Sequence, residues 1–403
     1  MFANKSFVRF WLSRIGAGVA SQMLMVALAW QMYELTSSAW DLGLVGLYQF
    51  CPALVLSLLA GHVADRFPRK NIVMIAWFTQ AIVVLGILLA IEHGALTRDF
   101  LLFISLLLGI VRAFQNPAQQ AILPTLVSTH HLPRAMALNS MGYQASVMAG
   151  PAIGGLLFAL SAESVYLACL VLYALSAYWL LRLKAQAQSE ESNEPVSLES
   201  VLAGVVYVWR RKVILGSITL DLFAVLLGGA TALLPIYAKD ILHTGPWGLG
   251  LLRAAPAVGA LMVSVYLTRW PLKKKVGRHL FGAIAVFGLS TCVFALSENF
   301  ILSLLALMVS GCADMVSVVI RHTIVQLETP ENMRGRVSAV NTVFVGASNQ
   351  LGEFESGATA AWFGPVPAVV LGGVGTILIA VLWSHWFKSL YHRDQLIATR
   401  EDK

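Results

Sequence analysis

Charge is what this chain of 403 residues has least of: Asp, Glu, Lys and Arg together make up only 12% of it. An ordinary soluble domain carries about 25%. With 58% hydrophobic residues and a mean hydropathy of +0.73, that scarcity excludes a water-soluble globular chain and points to a polytopic helical membrane protein. Cysteine is scarce too. Cys51, Cys169, Cys292 and Cys312 all fall inside apolar runs and none has metal-ligand spacing, so they read as packing residues. That excludes a disulfide framework, and no metal or cofactor is expected. A Gly-x-x-x-x-Gly-Lys-Ser/Thr loop is missing, so any pumping is expected to use a gradient and not ATP bound to this chain. A cleavable signal peptide is not expected either: the basic first ten residues lead into a span-length run without a small-residue cleavage site. No catalytic residue is assigned, and an enzyme is not expected.

The net charge of +7 would suit nucleic acid, but the placement of the charges argues against that partner. They cluster in short loops between apolar runs, as the positive-inside rule requires. Hydropathy predicts twelve spans, at 8–33, 41–60, 71–92, 99–122, 136–160, 163–183, 213–238, 247–269, 279–297, 300–325, 336–361 and 366–387. With the N-terminus inside, 23 of the 28 Lys and Arg fall at cytoplasmic ends or loops. Arg98 and Lys239 fall outside, while Arg112, Arg253 and Arg321 lie within spans. Both termini are therefore expected on the cytoplasmic side.

The fold class expected is an all-α membrane protein of twelve transmembrane helices, in two six-helix pseudo-symmetric bundles around a midplane site. The domains expected are 1–184, a linker at 185–212 and 213–403. The linker's first part is polar. Residues 196–212 read as an amphipathic helix ending in Arg210, Arg211 and Lys212, expected to lie on the inner membrane surface.

Between the second and third spans, residues 61–70 read Gly-His-Val-Ala-Asp-Arg-Phe-Pro-Arg-Lys. This basic loop with one acid, Asp65, resembles the signature loop of the major facilitator superfamily, Gly-x-x-x-Asp-Arg-x-Gly-Arg-Arg/Lys. Gly61, Asp65, Arg66, Arg69 and Lys70 match, and Pro68 replaces the second Gly. An ordinary positive-inside loop is the plainer reading. The resemblance implies a conformational switch, with Asp65 at the positive end of a neighbouring helix and Arg66 and Arg69 paired with acids across the interface between the halves.

The fifth span carries Ser146, Gly150, Pro151, Gly154 and Gly155. They are similar to the Gly-x-x-x-Gly-Pro-x-x-Gly-Gly motif of the family's antiporters, with Ser146 for the first Gly. Small residues at this spacing let helices approach closely, whatever the direction of transport. The resemblance implies export, and a seal against a helix of the other half.

Charges at bilayer depth are costly and normally face a cavity or a partner. The fourth span holds Arg112, where the family has an Arg implicated in proton coupling, although the usual Arg-x-x-x-Gln-Gly pattern is not intact. A structural Arg bound to backbone carbonyls is the alternative. The second half holds Asp221, Asp314 and, seven residues on, Arg321, which returns to the face of Asp314. Each acid is expected either to exchange the transported proton or to form a static ion pair. The eleventh span holds Glu353 and Glu355, which point about 200° apart. Ser338, Thr342, Asn349, Glu353 and Ser356 share one stripe, which favours Glu353 as the cavity group. Interhelical glue near the outer surface is the other reading of this pair.

The segments Trp30-Gln-Met-Tyr-Glu-Leu-Thr, Ala232-Leu-Leu-Pro-Ile-Tyr, Met333-Arg-Gly-Arg-Val-Ser-Ala-Val-Asn and Leu351-Gly-Glu-Phe-Glu-Ser-Gly resemble the drug:proton antiporter branch that includes the bacterial enterobactin exporters. The resemblance implies a proton-driven exporter of a drug-like compound or siderophore, a monomer in the bacterial inner membrane, with protons and lipid as its other partners. An importer or lipid-handling facilitator of the same fold, and a transport-inactive sensor or scaffold, are the alternatives.

Overall fold

The computed structural model describes residues 4–183 and 198–395, apart from Lys273. The first part of the expected linker, residues 185–197, lies outside the described residues. No strand occurs among the described residues, as the absence of water from a bilayer core requires of a chain that does not close a barrel.

The first helices are α1 (Lys5–Thr36), α2 (Ala39–Val55), α3 (Ser57–Arg66), α4 (Arg69–Glu92), α5 (Arg98–Leu126), α6 (Leu132–Leu160) and α7 (Ala162–Leu181). Their ends follow from local chemistry. Asn4 caps α1 by accepting from the Ser6 and Phe7 amides, Thr97 caps α5 through Phe100, and Ser161 caps α7 through Ser164. The expected basic loop at 61–70 is mostly helical. The chain leaves helical geometry at Phe67, extended at φ −105° and ψ 152°, because the residue before a proline is pushed out of the α region, and at Pro68, with ψ 113°. Pro68 then opens α4.

The second half contains α8 (Leu198–Arg210), α9 (Lys212–Gly228), α10 (Leu234–Ile236), α11 (Gly245–Arg269), α12 (Val276–Leu296), α13 (Phe300–Glu328), α14 (Glu331–Phe363), α15 (Pro365–Trp386) and α16 (Lys388–Tyr391). The expected seventh span is not one regular helix. After Gly228 and Gly229 it continues as a 3-10 turn, the short α10 and a π-helical turn at Tyr237–Ile241. Two adjacent glycines followed by Pro235 account for the loss of regular pairing. Asn299 caps α13 through the Ile301 and Leu302 amides.

Ten helical segments among the described residues are long and apolar enough to cross a membrane. The expected second span is shared by α2 and α3, and the expected eleventh is α14, whose polar residues lower its hydropathy. Backbone contacts group the chain into two compact units. One contains Met1–Ser37, Leu44–Val196 and Thr244–Ala254; the other contains Ser38–Gly43, Ser197–His243 and Ala255–Lys403.

The apolar face of α8 is not left for lipid, as the sequence led us to expect. Val208 packs with Ile214, Ile218, Val325, Val337 and Val340, and a Cβ on Gly204 would come within 2.9 Å of the Arg336 carbonyl on α14. The side of the helix that carries Gly204 and Val208 is buried against α13 and α14, while Val206 and Trp209 stay exposed.

Candidate functional site

In the first unit, the Arg112 guanidinium donates to Gln49 Oε1 on α2 at 2.8 Å and to Ser21 Oγ on α1 at 3.3 Å. It ties three helices together through side chains. Gln49 was not singled out in the sequence, although a lone amide inside the apolar run 42–60 signals it. The backbones of α2 and α5 touch beside it, where a Cβ on Gly109 would run into the Gln49 carbonyl. Two more buried amides were missed for the same reason: Gln80 donates to Gln115 at 2.7 Å, and Gln31 accepts from the Tyr166 hydroxyl at 2.6 Å.

The motif residues on α6 face two helices. Ser146 Oγ donates to the Ile15 and Gly142 carbonyls. A Cβ on Gly150 would lie 2.5 Å from the Gln22 side chain, and one on Gly154 would lie 2.9 Å from Met23 Cα. Both therefore pack on α1, within their own bundle, because residues four apart share a face. Gly155 turns away from that face and meets the start of α11: a Cβ there would lie 2.5 Å from the Pro246 carbonyl and 2.7 Å from Gly250 Cα. In return, a Cβ on Gly250 would lie 2.5 Å from the carbonyl of Pro151. A similar crossing occurs in the second unit, where Gly43 of α2 faces Gly357 of α14 at 3.2 Å from its would-be Cβ.

In the signature segment, Arg69 donates to the Ala121 carbonyl on α5 at 3.1 Å. Lys70 donates to the Leu181 and Leu183 carbonyls at 3.0 and 2.7 Å, where a cation favours the end of α7. Arg69 thus holds α5 inside the first unit, where an acid of the other half was expected. Arg66 is exposed and Gly61 has open space around its Cα. The side chain of Asp65 lies outside those described.

The second unit gathers the intramembrane charges. Arg321 Nη2 meets Asp221 Oδ1 at 2.6 Å, both side chains almost fully buried, and Arg321 Nε donates to Ser317 Oγ at 3.0 Å. Asp314, two turns before Arg321 on α13, is close enough to feel the charges of both. Glu353 is half-buried on α14. Its stripe neighbour Ser356 points into the protein and donates to the Gly229 carbonyl at 2.8 Å, at the break after α9. Glu355 accepts from Thr359 at 2.9 Å. Among the described residues, no group of three or more His, Cys, Asp or Glu is placed to hold a metal ion.

Comparison with known proteins places this arrangement. The enterobactin exporter EntS of Escherichia coli O1:K1 is 27% identical over 393 residues, 94% of this chain and 91% of its own length. EntS of Citrobacter koseri is 26% identical over the same shares. Among solved structures, a bacterial homolog of the human lysosomal transporter Spinster superposes with a TM-score of 0.74 at 12% identity, covering 98% of this chain and 97% of that one. The nucleoside transporter NupG superposes with a TM-score of 0.69 at 14% identity, covering 95% and 99%. At those identities the structures speak for the fold alone. The profile of the Major Facilitator Superfamily matches residues 10–353, and so this multi-pass, all-helical membrane transport protein belongs to that superfamily.

Proposed function

We propose that the chain exports an amphipathic small molecule, a drug-like compound or siderophore, across the bacterial inner membrane by proton antiport and alternating access. The observation that carries this reading is the buried pair Asp221 and Arg321, with Asp314 two turns away on the same face of α13. Arg321 is committed to Asp221 at 2.6 Å, which leaves Asp314 as the second carboxyl in the same field. With both acids ionised the group carries one uncompensated negative charge, and each charge at bilayer depth costs about 2.5–3.5 kcal/mol on insertion scales. One proton on Asp314 cancels the surplus. A group poised between those two states is what coupling to a proton gradient requires. Arg112 and Glu353 serve the same cycle from α5 and α14, and Gly61, Asp65, Arg66, Arg69 and Lys70 set the balance between conformations.

Export is supported by the small-residue motif on α6 and by the enterobactin exporters among the relatives. In this reading the chain works as a monomer with both termini cytoplasmic, its bundles at 1–184 and 213–403 joined by the linker at 185–212. The test is uptake into inverted membrane vesicles, with enterobactin and ethidium as separate probes and a pH jump as the drive. The parent should accumulate at least one probe only with the interior acid. Asp314→Asn should lose that dependence while retaining probe binding. Gradient-driven uptake at the parent rate in Asp314→Asn overturns the assignment of Asp314. Gradient-independent movement in the parent overturns antiport.

A further inference from the structure

Asp314, Arg321 and Glu328 stand seven residues apart in succession on α13, so they lie along one face of that helix. The middle residue is anchored by Asp221. The last is anchored from an unexpected direction. Glu328 Oε1 receives Arg393 Nη2 at 2.8 Å, and the Arg393 side chain is 6% exposed. Arg393 lies just past α16, in a segment to which the sequence reading gave no role.

That segment is fixed on its other side to α12. The Arg393 carbonyl accepts from the Gly277 amide at 2.9 Å and the Asp394 carbonyl from the Val276 amide at 3.2 Å. The Asp394 carboxylate accepts from the Lys275 amide at 3.1 Å. Together these satisfy the amides that open α12, which its own turns leave unpaired. A Cβ on Gly277 would run into the Leu390 and Tyr391 carbonyls, so the close approach depends on glycine. Leu390 is fully buried in the cluster with Val276, Leu280 and Ile324. Glu328 is held from a third side, its carbonyl accepting from the Tyr207 hydroxyl of α8 at 3.2 Å.

We infer that Arg393 is a positioning residue: by gripping Glu328 while its own backbone caps α12, it fixes the rotation of α13 and so holds Arg321 against Asp221. A seven-residue series tolerates little rotation. A turn of α13 that freed Glu328 would carry Arg321 and Asp314 around with it. The inference deepens the function proposed above. Its test needs neither cargo nor a gradient, so its failure and the failure of that function appear in different measurements.

The test is amide hydrogen exchange on the full chain in lipid nanodiscs, read at the start of α12 and around Arg321. Glu328→Gln and Arg393→Gln should each speed exchange at both places by about tenfold, as loss of a largely buried ion pair does. Arg393→Lys should stay near the parent, and the double Gln variant should be no faster than either single one, because the two residues act as a unit. The decisive measurement is Glu328→Gln at the start of α12, since Glu328 sits on α13 and reaches that site through Arg393. Exchange at the parent rate there overturns the inference, as does a double variant whose effect is the sum of the singles. Should Arg393→Gln yield no folded protein, Glu328→Gln decides alone.

Discussion

Arg321 of α13 makes its ion pair with Asp221 of α9, at 2.6 Å with both side chains almost fully buried. Spacing along α13 points to a different acid, Asp314, which shares the helix face. The pair locks α9 to α13, and it leaves Asp314 as a neighbour of both charges. A fixed pair with a free-standing third group is a different device from a simple salt bridge.

The pair itself is the first thing to break. Removing one partner from a buried ion pair strands the other charge and costs about 3–5 kcal/mol. Arg321→Gln and Asp221→Asn should each lower the unfolding midpoint in detergent sharply. The double variant Asp221→Asn with Arg321→Gln should cost clearly less than the two singles added. Additive losses in thermal unfolding would mean that the two side chains do not act as a pair.

Glycines of the two motifs should respond in opposite senses. A methyl at Gly155 meets the Pro246 carbonyl and Gly250 Cα at 2.5 and 2.7 Å, backbone that cannot step aside. Gly155→Ala should therefore destabilise by about 1–3 kcal/mol. Gly61 lies inside α3 with no neighbouring atom within 4 Å of its would-be Cβ. Gly61→Ala should stabilise by about 0.5–1 kcal/mol, the helix-propensity difference. Thermal unfolding of both variants beside the parent checks the pair of signs.

Asp65 stands in the last turn of α3, among Arg66, Arg69 and Lys70. Asp65→Asn should slow export several-fold while leaving insertion and unfolding near the parent, since a single charge near a helix end shifts stability by only about 0.3–1 kcal/mol. That energy shifts a balance between conformations without unfolding anything. Initial uptake rates in inverted vesicles measure it, and rates equal to the parent would remove Asp65 from the cycle.

The helices were legible in the sequence because a bilayer forces each segment to satisfy its own backbone, and short basic turns mark where each one stops. What an average over twenty residues cannot register is a fault two residues wide. Gly228 and Gly229 end α9 in the middle of a run that hydropathy treats as continuous, and Ser356 fills the resulting gap from α14. Partner choice was equally hidden. The spacing of Asp314 and Arg321 describes one helix, whereas Asp221 belongs to another, and nothing along α13 announces it. Gln49 was overlooked because an uncharged amide hardly lowers the hydropathy of its run, although in the fold it is the group that receives Arg112. The C-terminal segment was passed over because its role is carried by backbone carbonyls, which every residue has.

The seating of α8 on α14 decides where this polypeptide can be severed. Val208 shares a core with Val337 and Val340, and Gly204 rests against the Arg336 carbonyl. A cut ahead of Leu198 releases a C-terminal fragment that keeps its own cover. A cut after Arg210 strips that cover away and bares a valine-lined trough. Two-piece versions of the transporter should therefore divide cleanly only upstream of the helix, and the piece that looks like connecting thread in the sequence packs with the second half.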